Sequence, residues 1–405
     1  RAADGSEKTK EYVGSFEEAV CTDLRPEEVP ADSGYRVSGE CSMVIIFTSN
    51  TKGGIIQFAF QMAQTFGNIG YDCRVMLPDV WQSSGYEQNK GQAILYRKVK
   101  TFSGSDTDFL QTVERLRAYE PELIVYADSS IMSMRVLLQS GMEQKSIVVM
   151  HDVYPHLTRE SMKTRLVNLT ADRLAGLACR RCLGVLLLSE SCRRLYEKRY
   201  PKVKEKTAVM RLGAHVPVEG SMVPEEIQGV QDYFLFFGRI DRYKGIHRLL
   251  TAYQQYLESG SKHHRLVIAG AGTFSEEEEK LLAALPEVIC LKRFLADEEI
   301  TPLYQAARTI VLPYIEASQS GVLPIAYKYG KPVIVSDLPG LTENVWEQHT
   351  GLIAKDIDAL VNAMEQTDDE IFYQTMCRDV TDYYRENYNW EQNLKGVLEQ
   401  YGAEN

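Results

Sequence analysis

The sequence predicts an α/β protein made of two Rossmann-like halves, and three observations carry that expectation. From Met43 onward, short apolar runs alternate with segments of helical apolar spacing. The runs are apolar throughout rather than every second residue, which is the pattern of strands covered on both faces, and helices between such strands imply parallel sheets. The alternation stops once, across the polar stretch Pro217 to Gln231, and then begins again. A chain of 405 residues is long enough for two sizeable domains.

Residues 1–40 are polar, rich in Glu, Ser and Gly, and carry breakers at Val29-Pro30 and Ser33-Gly34, so they read as a loosely attached leader. The first half spans residues 41–216. Met43 to Phe47 is its first strand, Thr48 to Gly54 a turn, and Ile55 to Ile69 a helix. Further strands are expected at Cys73 to Leu77, Leu123 to Tyr126, Ser146 to Met150 and Gly184 to Leu188. Residues 217–230 form a linker and the expected hinge. The second half, residues 231–385, has strands at Tyr233 to Phe237, Arg265 to Ala269, Thr309 to Leu312 and Pro332 to Val335. Ligands in open parallel sheets bind at the carboxyl ends of the strands, so two such halves place a site in the cleft between them.

Composition narrows the class. Hydrophobic residues at 44% and charged residues at 25% are ordinary globular values. The net charge of -11 argues against a surface that grips nucleic acid as a whole. No apolar run approaches the roughly 18 residues that span a bilayer, and the opening Arg1-Ala2-Ala3-Asp4-Gly5 lacks the apolar stretch of a signal peptide. Eight scattered cysteines do not form a disulfide framework, so the expected compartment is the cytoplasm. Cys179 and Cys182 make a C-x-x-C inside a helical pattern with no second pair, and they read as structural thiols.

Several residues are placed to do chemistry. Gly238-Arg239 and Lys244-Gly245 follow the first strand of the second half, where a planar guanidinium and a mobile ammonium suit a diphosphate. Two solvated surface cations are the plainer alternative. Pro313-Tyr314-Ile315-Glu316 ends a strand, and Ser318-Gln319-Ser320-Gly321 is expected to open a helix through Val322 to Tyr329. Its free N–H groups would attract an anion. Glu316, just ahead of that anion site, suits sugar hydroxyls, or else serves as a helix-start charge. In the first half, Lys52-Gly53-Gly54 lets backbone approach a ligand, and His151-Asp152 follows a strand at its carboxyl edge. A purely structural histidine is the alternative for His151. No Asp-x-Asp pair directly follows one of these expected strands, and no metal is expected.

The order and spacing of these segments resemble the retaining nucleotide-sugar glycosyltransferases of family 4, which have the GT-B fold. The resemblance runs through Phe237 to Gly245, Val267 to Gly272, Phe294 to Tyr304, Val311 to Pro313, Glu316 to Gly321, Gly330 to Asp337 and Gly351 to Ile353. It is fainter at Gly53-Gly54, Gly70 to Asp72 and His151-Asp152. It implies that Arg239 and Lys244 hold the donor diphosphate, and that Ser320 and Gly321 take its distal end. Glu316 would face the donor sugar, Arg293-Phe294 would lie near the base with largely main-chain contacts, and His151 would position the sugar or acceptor. The second Glu of the family's Glu-x7-Glu motif is Pro324 here, so the ribose would be held by Glu343 or by main chain; a helix-start role for Glu343 stays open. The resemblance also implies a terminal helix in residues 386–405 that crosses back to the first half. The implied reaction is metal-independent transfer from a UDP- or GDP-sugar to a sugar or lipid-linked acceptor, with retention at the anomeric carbon.

From Arg159 to Lys206 there are 13 Lys and Arg against 5 Asp and Glu, a basic island in an acidic chain. Met162 to Leu177 has helical apolar spacing among cations, which suits either peripheral contact with anionic lipid on the inner face of a membrane or an ordinary core-facing helix. Two other functions stay open beside the transferase: a GT-B partner subunit with weakened catalysis, motivated by Pro324, and a nucleotide-sugar epimerase. A dehydrogenase would need G-x-G-x-x-G after its first strand, which neither half has.

Overall fold

A computed structural model describes residues 42–51, 53–81, 91–98, 106–151, 153, 162–214, 220–260, 262 and 264–402. The expected leader, Lys52, Asp152, the loop after Trp81 and residues 215–219 lie outside the described residues. The same holds for the side chains at the start of the basic helix.

The first half runs β1 (Met43–Phe47), α1 (Gly54–Asn68), β2 (Asp72–Pro78), β3 (Ala93–Tyr96), α2 (Asp106–Ala118), β4 (Leu123–Tyr126) and α3 (Ile131–Ser140). It continues through β5 (Ser146–Met150), α4 (Met162–Arg181), β6 (Gly184–Leu187), α5 (Glu190–Arg199) and β7 (Thr207–Val209). The seven strands are all parallel, in the order β3-β2-β1-β4-β5-β6-β7. β4, β5 and β6 are buried along their whole length, which is why their sequences are continuous apolar runs. The apolar face of α1, with Ile56, Phe60, Ala63 and Phe66, covers one side of the sheet.

The second half runs β8 (Tyr233–Phe237), α6 (Ile246–Glu258), β9 (Leu266–Ala269), α7 (Glu276–Ala283), β10 (Val288–Leu291), α8 (Asp297–Ala306), β11 (Ala307–Leu312) and α9 (Val322–Lys328). After these come β12 (Val333–Ser336), α10 (Pro339–Thr342), β13 (Gly351–Ala354), α11 (Ile357–Gln366), α12 (Glu370–Asn387) and α13 (Trp390–Tyr401). Its six parallel strands are ordered β10-β9-β8-β11-β12-β13. In both sheets the chain winds outward from one central strand, returns, and winds the other way. The reversal falls between β1 and β4 in the first sheet and between β8 and β11 in the second, and adjacent connections diverge there to leave a crevice at the carboxyl ends.

Several elements differ from the sequence expectation. β3, β7, β10 and β13 join the sheets as short outer strands. The helix expected to open at Ser318 begins at Val322, with Gly321 as its N-cap residue, and spans only seven residues. The described part of the expected linker is pinned to the second half. A side chain at Gly220 would collide with the Glu298 backbone, Met222 N–H donates to the Glu298 carbonyl at 3.2 Å, and Ile227 is buried in the second core.

The terminal helix α13 does cross back. Leu394, Val397 and Leu398 are buried in the first half's core, Trp390 fits against Gly213, and Tyr401 fits against Gly184. Among the described residues no helix is long and apolar enough to cross a membrane.

Candidate functional site

Two loops meet at the reversal point of the second sheet. Gly238 to Gly245 leaves β8, and Pro313 to Gly321 leaves β11. The Ile315 N–H donates to the Tyr243 carbonyl at 2.8 Å, which joins them. Gly245 has φ +70, and a Cβ there would run into the Pro313 carbonyl, so the close approach of the loops depends on glycine. Lys244 is thereby placed with its ammonium 3.7 Å from the centroid of the Tyr314 ring and 5.0 Å from that of Tyr243. Tyr314 is buried at 1% exposure; burial pushes its hydroxyl pKa up to about 12, with Ser320 opposing the shift.

The remaining expected residues of this half are distributed around that meeting point. Arg239 is exposed and makes no ion pair among the described residues, and Glu316 is exposed on the opposite loop. Gly238 packs directly on Gly270, bringing the loops after β8 and β9 into contact. The Ser320 hydroxyl accepts from the Val322 N–H at 3.3 Å, so one of the backbone donors expected to be open is already partly engaged. Pro324 is buried in the first turn of α9.

Two expected ligand residues have side chains committed elsewhere. The Arg293 guanidinium bridges Glu226 at 3.0 and 3.1 Å and Glu299 at 2.7 Å on both nitrogens, which ties the linker to α8. That leaves only its main chain for a base, next to Phe294, which is 86% exposed. Glu343 points away from the second half. Its carboxylate accepts from the N–H of Ser191 at 2.7 Å and its hydroxyl at 2.5 Å, at the start of α5. Glu343 thus meets the start of a helix, one that belongs to the other half, while it stands at the end of its own helix α10.

The halves also meet through Ser189. Its hydroxyl accepts from the Cys192 N–H at 2.9 Å as the N-cap of α5 and donates to the Ser318 carbonyl at 3.2 Å. On the first-half side, His151 Nε2 donates to the Ala127 carbonyl at 3.0 Å, and its ring meets Phe58 edge-on at 5.1 Å. Gly53, with φ +89, precedes α1, and Gly53 and Gly54 are both exposed.

Sequence reasoning missed Asp128, which organises the reversal point of the first sheet. It is buried at 4% exposure at the end of β4. One carboxylate oxygen accepts from Thr48 Oγ1 at 2.8 Å, Ser49 N–H at 2.9 Å and Asn50 Nδ2 at 3.1 Å. The other accepts from Ser130 N–H at 3.0 Å and Ser133 Oγ at 2.6 Å. Burial alone would raise its pKa, but these bonds from Ser130, Ser133, Ser49 and Thr48 outweigh it and hold the carboxyl below its ordinary range. The signal was present: an acid immediately after a buried strand, with Ser and Thr clustered at two strand ends. Tyr314 was missed as well, because nothing in periodicity pairs a tyrosine with a lysine on another loop.

Among the described residues no group of three or more His, Cys, Asp or Glu is disposed to hold a metal ion. Residues 231–368 match the family model for glycosyl transferases group 1. An uncharacterized glycosyltransferase of Methanocaldococcus jannaschii is 29% identical over 183 residues, covering 43% of this chain and 46% of that protein. A D-inositol 3-phosphate glycosyltransferase of Corynebacterium urealyticum is 30% identical over 176 residues, covering 41% and 42%. The matched stretches thus span less than half the length of these curated relatives.

Solved structures extend the likeness of fold. Anabaena HepE, crystallised with UDP and glucose, superposes with a TM-score of 0.69 at 17% identity, covering 90% of this chain and all of that one. Sucrose-phosphate synthase from Thermosynechococcus elongatus gives 0.66 at 18% identity, covering 89% and 98%. The chain has the two-domain GT-B fold of glycosyltransferase structures, and its second half carries the match to glycosyl transferases group 1.

Proposed function

We propose that this protein is a glycosyltransferase that moves a sugar from a nucleotide-sugar donor to an acceptor hydroxyl with retention of anomeric configuration, in polysaccharide or glycoconjugate synthesis. The observation that carries the proposal is the meeting of the β8 and β11 loops, which holds Lys244 over Tyr314 at the reversal point, with Arg239 exposed on the same loop. In this reading residues 41–216 receive the acceptor and residues 231–385 the donor, and residues 217–230 join them.

Arg239 and Lys244 neutralise the donor diphosphate, and the backbone at Ser320, Gly321 and Val322 takes its distal end. Gly238 and the main chain at Arg293-Phe294 lie toward the nucleoside, and Glu316 takes sugar hydroxyls. His151, with Gly53 and Gly54, bounds the acceptor side. The anomeric carbon–oxygen bond to the diphosphate breaks as the acceptor oxygen bonds to the same face. The departing phosphate oxygen, the base at hand on that face, receives the acceptor proton. Fixed positive charge at Arg239 and Lys244 stabilises the diphosphate most as it departs, which is where the barrier is lowered.

A UDP-sugar is the favoured donor, because the similar Anabaena protein is described in complex with UDP-glucose, and a GDP-sugar is the alternative. The basic face of α4 fits peripheral contact with anionic lipid, which would bring a lipid-linked acceptor to the first half. A second reading, a partner subunit with weakened catalysis, draws on two points: Pro324 stands in sequence where the resembled family has its second Glu, and the Glu343 carboxylate is occupied by Ser191.

The test is thermal shift and calorimetry with UDP, GDP, ADP and CDP and their sugars on wild type and Arg239→Ala. One nucleotide bound by wild type and released by the variant supports the transferase. No binding by any of the four sinks it and leaves the partner-subunit reading.

A further inference from the structure

A nucleotide is anionic at one end and neutral at the other, so a site that takes it in a single orientation needs two regions of different character. In the second half the loops after β8, β9 and β10 form a row along the carboxyl edge of the sheet. Gly238 N–H donates to the Ala269 carbonyl at 3.0 Å, and Gly270 N–H donates to that of Leu291 at 3.0 Å, which ties each loop to the next. Neighbouring strands lie about 4.8 Å apart, so the loop after β10 stands about 10 Å to the side of the one that carries Arg239. That is comparable to the reach of a ribose and base beyond a diphosphate.

The β10 loop is held at both ends. The Arg293 guanidinium meets two carboxylates, each through a pair of nitrogens: Glu299 of α8 at 2.7 Å through Nη1 and Nη2, and Glu226 of the linker at 3.0 and 3.1 Å through Nε and Nη2. Glu299 also accepts the Ala296 N–H at 2.8 Å. One carboxylate therefore fixes residue 293 by its side chain and residue 296 by its backbone, and Phe294 stands exposed between them. Hydrogen bonds from Arg293 keep both carboxyls below their ordinary range, so the three groups together carry one net negative charge. Such a region repels phosphate and tolerates a neutral base, the opposite of the β8 loop.

We propose that Arg293 is a positioning residue for nucleobase recognition: through Glu226 and Glu299 it fixes the backbone from Arg293 to Ala296 where the base of the donor is read. The proposal rests on the donor-site reading above. The Arg293 side chain acts through the loop and makes no contact with the donor.

The test is calorimetry of the full chain, as wild type, Arg293→Met and Glu226→Gln, with UDP, GDP, ADP and CDP. Inorganic pyrophosphate, which has no base, is titrated alongside. Arg293→Met should weaken the nucleotide that wild type binds best by about ten- to thirtyfold, and Glu226→Gln, which breaks one arm at a partly exposed position, by about threefold. Pyrophosphate and the other three nucleotides should stay within about twofold, so the preference for one base collapses. A clamp that serves only general stability would lower all five ligands alike. That outcome, unchanged affinity for the preferred nucleotide, or a wild type that binds all four nucleotides alike overturns the role of Arg293 while the donor site stands. If Arg293→Met fails to fold, Glu226→Gln carries the same comparison. A wild type that binds none of the four nucleotides removes the donor-site reading itself, and the role of Arg293 with it.

Discussion

The carboxylate of Glu343, beside α10 in the second half, accepts both the N–H and the hydroxyl of Ser191, 152 residues earlier at the start of α5. A carboxylate at a helix N-terminus satisfies orphan donors and meets the positive end of the helix dipole. Glu343→Ala should therefore lower stability by about 1 kcal/mol, with Glu343→Gln intermediate because it keeps one acceptor. Arg194, 3.6 Å away and 63% exposed, adds little to this. Differential scanning calorimetry of both variants measures the effect, and an unchanged midpoint in Glu343→Ala would show that the contact contributes nothing.

Arg239→Ala and Lys244→Met should each weaken binding of the cognate nucleoside diphosphate by about ten- to a hundredfold, the range for losing a charge-assisted contact. Arg239 makes no ion pair among the described residues, so the thermal midpoint of Arg239→Ala without nucleotide should hold. Titration of both variants separates the outcomes: a loss of affinity below threefold at both positions would remove them from the donor site.

Asp128 gives a pH-dependent prediction. A carboxyl whose folded pKa is depressed contributes stability that is present above its unfolded value, near 4, and is lost as the pH falls through the folded value. In Asp128→Asn, either amide orientation turns an NH2 group toward a backbone N–H, that of Ser49 or that of Ser130, which cannot become an acceptor. The variant should lose about 3 kcal/mol at neutral pH, and the gap from wild type should narrow below about pH 4. Urea melts across the acid range measure this, and a constant gap would show that the charge on Asp128 is not what stabilises the site.

Gly245→Ala tests the junction of the two loops. It places a Cβ against the Pro313 carbonyl at a backbone conformation that L side chains resist. We expect a loss of about 2–3 kcal/mol together with weakened nucleotide binding, since the shift displaces Lys244 from Tyr314. A variant that melts lower yet binds nucleotide as wild type would show that the junction serves stability alone.

The central strands were legible in the sequence because burial on both faces demands unbroken apolar runs, as in Leu123 to Tyr126 and Ser146 to Met150. The outer strands were not. β3 has only four residues and exposes Leu95, and β10 is only half-buried over Val288 to Cys290, so neither stands out from a loop. At the site, the cations after β8 were legible because their spacing from a strand end is local. The distant partners were not: Ser191 of Glu343, Glu226 of Arg293, and Thr48 to Asn50 of Asp128 lie 152, 67 and about 80 residues away and become neighbours only when the sheets form. Helix α9 started later than expected because Gly321, rather than Ser318, occupies its N-cap position.

The fit of α13 into the first half bears on how the molecule is made. Tyr401 donates from its hydroxyl to the carbonyls of Val185 and Lys206, at 2.9 and 3.1 Å, across 216 and 195 residues of chain. During synthesis the first sheet therefore emerges with one apolar flank open and waits for the entire second half to follow. The core of the first half is thus finished by a segment translated after the whole of the second half.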